Sequence, residues 1–251
     1  MSQIATLTTA TQSESQLRGT PRVLAVIPAY NESEHIQQVA GSASRYVPVL
    51  VVDDGSADET ARLAAAAGAE VLLQVPNQGK GAALRAAFRR ALELGYQAAI
   101  TLDADGQHDP EEIPRFLEAH GRAPADLIIG ARDFRKMPFS RRLANTTGRW
   151  LFSWALGQSI PDNQSGYRMV SRRLMEALLD STERGFEFEV EMIATCLQRR
   201  LVLAWLPIRT IYAGETSHIH PLAHVVNFCR VAWTTRKRMR ERAVHPLGDT
   251  P

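Results

Sequence analysis

An α/β fold, a mostly parallel sheet with helices on both faces, is what this sequence predicts. Three observations carry the prediction. Apolar runs and helical patterns alternate five times before residue 132. The runs are apolar at nearly every position rather than every second one, as in strands covered on both faces. Each run ends in a polar cluster, and ligands of such sheets bind beyond the C-terminal strand ends.

The elements follow in order. "RVLAVIPAY" is a short apolar run through Pro28 and reads as a buried strand. "SEHIQQVAGSASRY" is a helix with Ser33 as its expected cap. "VPVLVVDDGS" is the second strand, and "ADETARLAAAAGA" a helix closed by Gly68. "EVLLQV" is the third strand. "GKGAALRAAFRRALELG" is a helix on which Leu84, Phe88 and Leu92 share an apolar face, with Gly95 at its end. "QAAITLD", "DPEEIPRFLEAHG" and "ADLIIGAR" read as strand, helix and strand. After Arg132 the rhythm changes. A basic, then aromatic stretch carries a helix across its middle. "SGYRMVSRRLMEALL" and "FEFEVEMIATCLQRRL" supply a strand and two helices, "LAWLPIRTIY" a strand, and residues 221–242 a helical pattern. The expected organisation is a disordered tail over 1–20, one domain over 21–220, and an amphipathic helix with a basic tail over 221–251.

Composition narrows the function classes. A chain of 251 residues can bury one large core. A net charge of +2 supplies no global field for a polyanion, and no nucleic-acid partner is expected. Cys196 and Cys229 lie in apolar helical patterns and read as buried, reduced thiols. The Ser/Thr/Gln-rich start lacks the basic and apolar regions of a secretory signal. No uncharged apolar run reaches the roughly 18 residues of a membrane span. A cytoplasmic chain, soluble or peripheral on the inner face of the plasma membrane, is expected.

The stretch "ITLDADGQHDP" crowds Asp103, Asp105, Gln107, His108 and Asp109 at the end of the fourth strand. Carboxylates this close repel one another unless a positive group sits among them. Hard oxygen ligands suit Mg²⁺ or Mn²⁺, which keep waters and share their site with substrate phosphates. A plain turn at Asp105-Gly106 with solvated acids is the structural alternative. A dinucleotide site needs Gly-x-Gly-x-x-Gly after the first strand, where "PAYNES" stands, and no P-loop motif occurs.

Together, "VIPAYNE", "VVDDGSADET", "NQGKGAALRAAF", "LDADGQHDPEEIP", "IIGAR", "DNQSGYR" and "FEFEVEM" resemble the family 2 glycosyltransferases of GT-A fold, most of all the polyprenol (dolichol) phosphate mannosyl- and glucosyltransferases. The resemblance runs in the family's order from Val23 to about Ile219. It implies a Rossmann-like GT-A domain that moves a hexose, with inversion, from a UDP- or GDP-sugar to a polyprenyl phosphate. It also implies residue roles. Pro28, Tyr30, Asn31, Glu32, Val52 and Asp54 would contact the donor's base and ribose, with Lys80, Asp103, Ala104 and Asp105 completing the nucleotide-sugar site. Asp103, Asp105 and Gln107 would hold Mg²⁺ or Mn²⁺ and the diphosphate. Asp53-Asp54-Gly55-Ser56 also reads as a turn capping the next helix, so one acid can cap while the other binds.

On the acceptor side the resemblance places the lipid phosphate at Arg132 and Arg141; Arg168 in "SGYR" and His218, where the sequence departs from the family, are further candidates for phosphate contact. Guanidinium forks suit that anion. Basic residues before Trp150, Phe152 and Trp154 read either as a solvated face followed by core aromatics or as a segment at a lipid surface. Many lipid-sugar synthases carry membrane helices, so surface binding or a membrane partner protein would replace them here. A phosphate acceptor is largely ionised at neutral pH and needs no strong base. A hydroxyl acceptor needs one, and Asp162 is the first candidate, ahead of Glu187, Glu189 and Glu191. A nucleotidyltransferase and a non-catalytic nucleotide-sugar binder are the competing classes.

Overall fold

The computed structural model describes residues 21–132, 139–162, 164–185 and 187–209, with 233, 236 and 237 beyond them. Seven strands form one sheet: β1 (Val23–Ala29), β2 (Val49–Asp53), β3 (Glu70–Leu73), β4 (Ala98–Thr101), β5 (Leu127–Arg132), β6 (Arg168–Ser171) and β7 (Leu203–Ile208). Their spatial order is β3-β2-β1-β4-β6-β5-β7. All neighbouring pairs are parallel except those of β6, which runs antiparallel to both β4 and β5.

Helices α1 (Ile36–Ala43), α2 (Thr60–Ala66), α3 (Lys80–Glu93), α4 (Ile113–Arg122), α5 (Phe139–Leu156), α6 (Arg172–Leu178) and α7 (Glu187–Gln198) accompany the strands. Alternate residues of β1 belong to two separate clusters. Leu24 and Val26 pack with Leu84 and Phe88 of α3, while Ala25 and Ile27 pack with Ile36 and Val39 of α1. The sheet is therefore covered on both faces, and this is why its strands read as continuous apolar runs.

Two local expectations change. Ser33 does not cap α1, which begins at Ile36 with no side-chain cap. The Ser33 N–H instead donates to Asp58 (3.1 Å), fastening the β1–α1 loop to the β2–α2 loop. The strand in "SGYRMV" is inserted between β4 and β5 in the opposite direction. Cys196 is buried, and burial pushes its thiol up to about 12. Cys229, residues 1–20 and most of 221–251 lie outside the described residues. Among those described, no helix is long and apolar enough to cross a membrane.

Candidate active site

The chain leaves β1 to one side and β4 to the other at the centre of the sheet, which is where open α/β sheets form a crevice. A cleft of about 280 Å³ lies there. Pro28, Ala29, Tyr30 and Glu32 line it from β1, Asp54 from β2, and Asn77, Gly79, Lys80 and Ala83 from the start of α3. Asp103, Ala104 and Asp105 line it from β4. Eight of these residues, Pro28, Tyr30, Glu32, Asp54, Lys80, Asp103, Ala104 and Asp105, are ones the sequence nominates.

Each wall has a local cause. Asn31 takes a left-handed φ of 56°, which asparagine tolerates. Its Oδ1 accepts from the Ala57 N–H (2.8 Å), and its own N–H donates to Ser56 Oγ (2.9 Å). Asn31 thus braces the loop that presents Tyr30, and it is not among the lining residues. Asp53 Oδ1 accepts from the Ser56 N–H (2.8 Å), the turn role. Asp54 accepts from Gln74 Nε2 (2.7 Å) and from the N–H groups of Gln78 (2.8 Å) and Gly79 (2.7 Å). It therefore fixes the approach to α3 while still bordering the cleft. Val52 is fully buried in the core beside α3 and is not among the lining residues.

Charge is concentrated at the β4 end. Lys80 Nζ stands 2.5 Å from Asp103 Oδ1 and 2.8 Å from Glu189 Oε1. Burial alone would lower the Lys80 pKa, but Asp103 and Glu189 outweigh it and raise it. Burial opposes ionisation of Asp103 as well; Lys80, with Arg132 further off, prevails and holds its carboxyl at about 2. The Asp103 N–H donates to His108 Nδ1 (2.9 Å), which requires an unprotonated Nδ1. Burial accordingly lowers the His108 pKa. Asp105 Oδ1 accepts from the Gln107 N–H (2.9 Å) across Gly106 at φ 75°, so Asp105 and Gln107, two of the three metal candidates, are presented by one tight turn. The Gln107 side chain is not among the lining groups.

A divalent ion fits this donor set. The carboxylate of Asp103 lies against bare backbone: a Cβ on Gly166 would stand 2.8 Å from its Oδ1. Among the described residues no three His, Cys, Asp or Glu side chains gather as a closed metal cage. Two carboxylates open to a cleft, with substrate oxygens and water to complete the shell, is the usual arrangement for Mg²⁺.

The acceptor-side residues divide. Arg132, at the end of β5, is gripped by Asp162 through Nε (2.7 Å) and Nη2 (2.9 Å). Asp162 is 1% exposed and also accepts from the N–H groups of Arg132, Gln164 and Ser165. Five donors saturate its oxygens. This corrects the expectation of a base, because no lone pair remains for a substrate proton. Arg168 is corrected too. It is fully buried, donates to the backbone carbonyls of Ser165 (2.7 Å) and Glu189, and cannot meet a lipid phosphate. Arg141 lies on α5, but its side chain is outside the described residues, as is His218.

Two participants were not assigned their roles from sequence. Glu189 is the partner of Lys80, whereas Glu191 accepts from Ser181 Oγ on the other face of α7. His108 caps the Asp103 backbone. Glycines on both sides of Lys80 were the available signal: Gly81 admits no side chain, since a Cβ there would stand 2.8 Å from Glu183 O and Phe188 Cβ.

The family model for "Glycosyl transferase family 2" matches residues 24–179 and so contains this whole cleft. The chain belongs to that family. As a family 2 glycosyltransferase it is 39% identical, over 68% of its length and 76% of the relative's, to undecaprenyl-phosphate mannosyltransferase of Micrococcus luteus. It is 34% identical to polyprenol monophosphomannose synthase of Mycolicibacterium smegmatis, over 79% and 81% of the two chains. Glucosyl-3-phosphoglycerate synthase of Mycobacterium tuberculosis, in complex with Mn²⁺, UDP-glucose and phosphoglyceric acid, shares the fold. Its TM-score is 0.69 at 20% identity, covering 93% of this chain and 85% of that one.

Proposed function

We propose that this glycosyltransferase moves a hexose from a UDP- or GDP-sugar to a polyprenyl phosphate, with inversion, at a membrane surface. The observation that carries the reading is the cleft at the β1–β4 crevice, lined by Tyr30, Glu32, Asp54, Lys80, Asp103 and Asp105, in a chain closely similar to lipid-phosphate mannosyltransferases. Tyr30, half exposed, offers a face for the base, and Asp54 borders the space for the ribose. Asp103 and Asp105 would hold Mg²⁺ or Mn²⁺, which supplies positive charge to a departing diphosphate. Lys80 adds a second cation on the same side.

Arg132 would meet the acceptor phosphate, presented by Asp162 in a fixed orientation. Such a phosphate is already an anion at neutral pH, so attack on the sugar's anomeric carbon requires no proton transfer to the protein. A single displacement of this kind inverts the centre. The saturation of Asp162 favours this over a hydroxyl acceptor, which would need that base.

The outer face of α5 suits a lipid surface. Phe152 and Ala155 pack on Val190 of α7, while Trp150 is 75% exposed and shares the opposite face with Trp154. Arg236 lies over the Trp154 ring at 4.9 Å. Indole rings beside cations are the mixture favoured at an anionic interface.

The test is a panel of UDP- and GDP-hexoses with undecaprenyl phosphate and Mn²⁺, run on wild type and Asp105→Ala. One donor should support transfer by wild type, and the variant should lose it while keeping its Tm. Equal activity of the variant, or of wild type in excess EDTA, would refute the metal role.

A further inference from the structure

Asp103 already has a cation. The Lys80 ammonium sits 2.5 Å from Oδ1, inside the space that the reading above gives to a divalent ion. Two cations at one carboxylate oxygen repel strongly when water is largely displaced. The main chain of Lys80 cannot yield. Its neighbour Gly81 donates to Arg184 O (2.7 Å), and a Cβ on Gly79 would collide with that same oxygen. The side chain can move, since four methylenes separate the ammonium from the pinned backbone. Glu189 Oε1, at 2.8 Å, is a second anchor within reach. Lys80 also borders the cleft that Tyr30, Asp54 and Asp105 line, where a diphosphate would present further anionic oxygens.

We propose that Lys80 is a resident counter-cation that holds Asp103 against a divalent ion until a nucleotide diphosphate draws the ammonium away, with Glu189 as the positioning residue that retains it in the site. This rests on the reading of the cleft as a metal and nucleotide-diphosphate site. It makes metal and donor binding mutually dependent: neither is tight alone, and each removes the obstacle to the other. It also keeps one positive charge between the Asp103 and Glu189 carboxylates between turnovers.

The experiment is a Mn²⁺ titration followed by electron paramagnetic resonance, with and without UDP or GDP, on wild type, Lys80→Met and Glu189→Gln. Wild type should bind Mn²⁺ weakly alone and much more tightly with its diphosphate. Lys80→Met should bind Mn²⁺ alone at least about tenfold more tightly than wild type, the low end of what removing a unit charge a few ångströms away is worth. The diphosphate should then strengthen Mn²⁺ binding less than it does in wild type. Glu189→Gln should shift the other way, because the ammonium is left to Asp103. Opposite signs separate this from general damage to the site, which would weaken both variants; Lys80→Gln, with the same expected sign, serves if the methionine variant does not fold. Mn²⁺ binding by the lysine variants no tighter than wild type overturns the inference alone. Wild type that binds no Mn²⁺ with either diphosphate overturns it together with the reading beneath it.

Discussion

A carboxylate enclosed by five donors behaves as a structural anion, and Asp162 is one. Asp162→Asn should cost about 3–5 kcal/mol of stability, the range for breaking a buried ion pair, read from urea unfolding. It should raise the acceptor KM by releasing Arg132 and leave the shape of the pH–rate profile unchanged. A stable variant with normal KM and collapsed turnover would restore the base. The type and place of Asp162 were legible in the sequence, but its neighbours' N–H directions were not, and those decide its role. The same holds for Arg168, whose charge suggested an anion until burial turned it towards two carbonyls. Asp103 gives a pH prediction. Its folded pKa of about 2 lies below the ordinary value of ~4. A depressed carboxyl contributes stability fully above the ordinary value and loses it as pH falls through the folded one. The difference in urea midpoint between wild type and Asp103→Asn should therefore shrink between pH ~4 and pH ~2. A difference that stays constant over that window would deny the Lys80 pairing its share.

At the scale of elements, α3 was readable because Leu84 and Phe88 recur at helical spacing and both are buried against β1 and β2. Strand β6 was readable as a strand only. Period-two patterning carries no direction, and four residues cannot say that Arg168–Ser171 runs against its neighbours. The insertion matters, because it carries Gly166 past the Asp103 carboxylate at the β4 side of the cleft. On α7 the spacing separated Glu189 from Glu187 and Glu191 but could not say which face looks inwards; Lys80 supplies the answer. Helix α5 yields the next prediction. Trp150 and Trp154 are exposed on one face while Phe152 holds the other to α7. Replacing both indoles with Ser should leave Tm within a few degrees and weaken binding to vesicles containing anionic lipid by about tenfold or more, since each buried aromatic is worth roughly a kcal/mol or several. Unaltered vesicle binding would return the face to ordinary solvent exposure.

For the molecule as a whole, the sheet order divides the labour. Strands β1, β2 and β4 end at the crevice, which under the proposed function would be the donor side. Arg132 comes from β5, beyond the inserted β6, and is held by a residue thirty positions later. In that reading donor and acceptor groups stand on separate parts of one sheet, and their perturbations should separate in kinetics. Arg132→Ala should raise the KM for undecaprenyl phosphate at least about tenfold, since hydrogen bonds to charged groups are worth about 1.5–3 kcal/mol. Donor affinity, measured by calorimetry with Mn²⁺ on the folded variant, should change less than the acceptor KM does, because Arg132 does not line the cleft that Tyr30, Asp54 and Asp105 border. Arg132→Lys should recover only part of the loss, because an ammonium cannot keep both bonds to Asp162 and still offer a fork to phosphate. The pH–rate profile adds an independent check. With a lipid phosphate as nucleophile, the rate should level off above the acceptor's second pKa of about 6. That plateau should persist in the arginine variants, where the acceptor binds poorly but still ionises. A profile that follows a protein carboxylate instead, or efficient transfer to a lipid alcohol with none to the phosphate, would move the acceptor to the hydroxyl class while leaving the chain a glycosyltransferase.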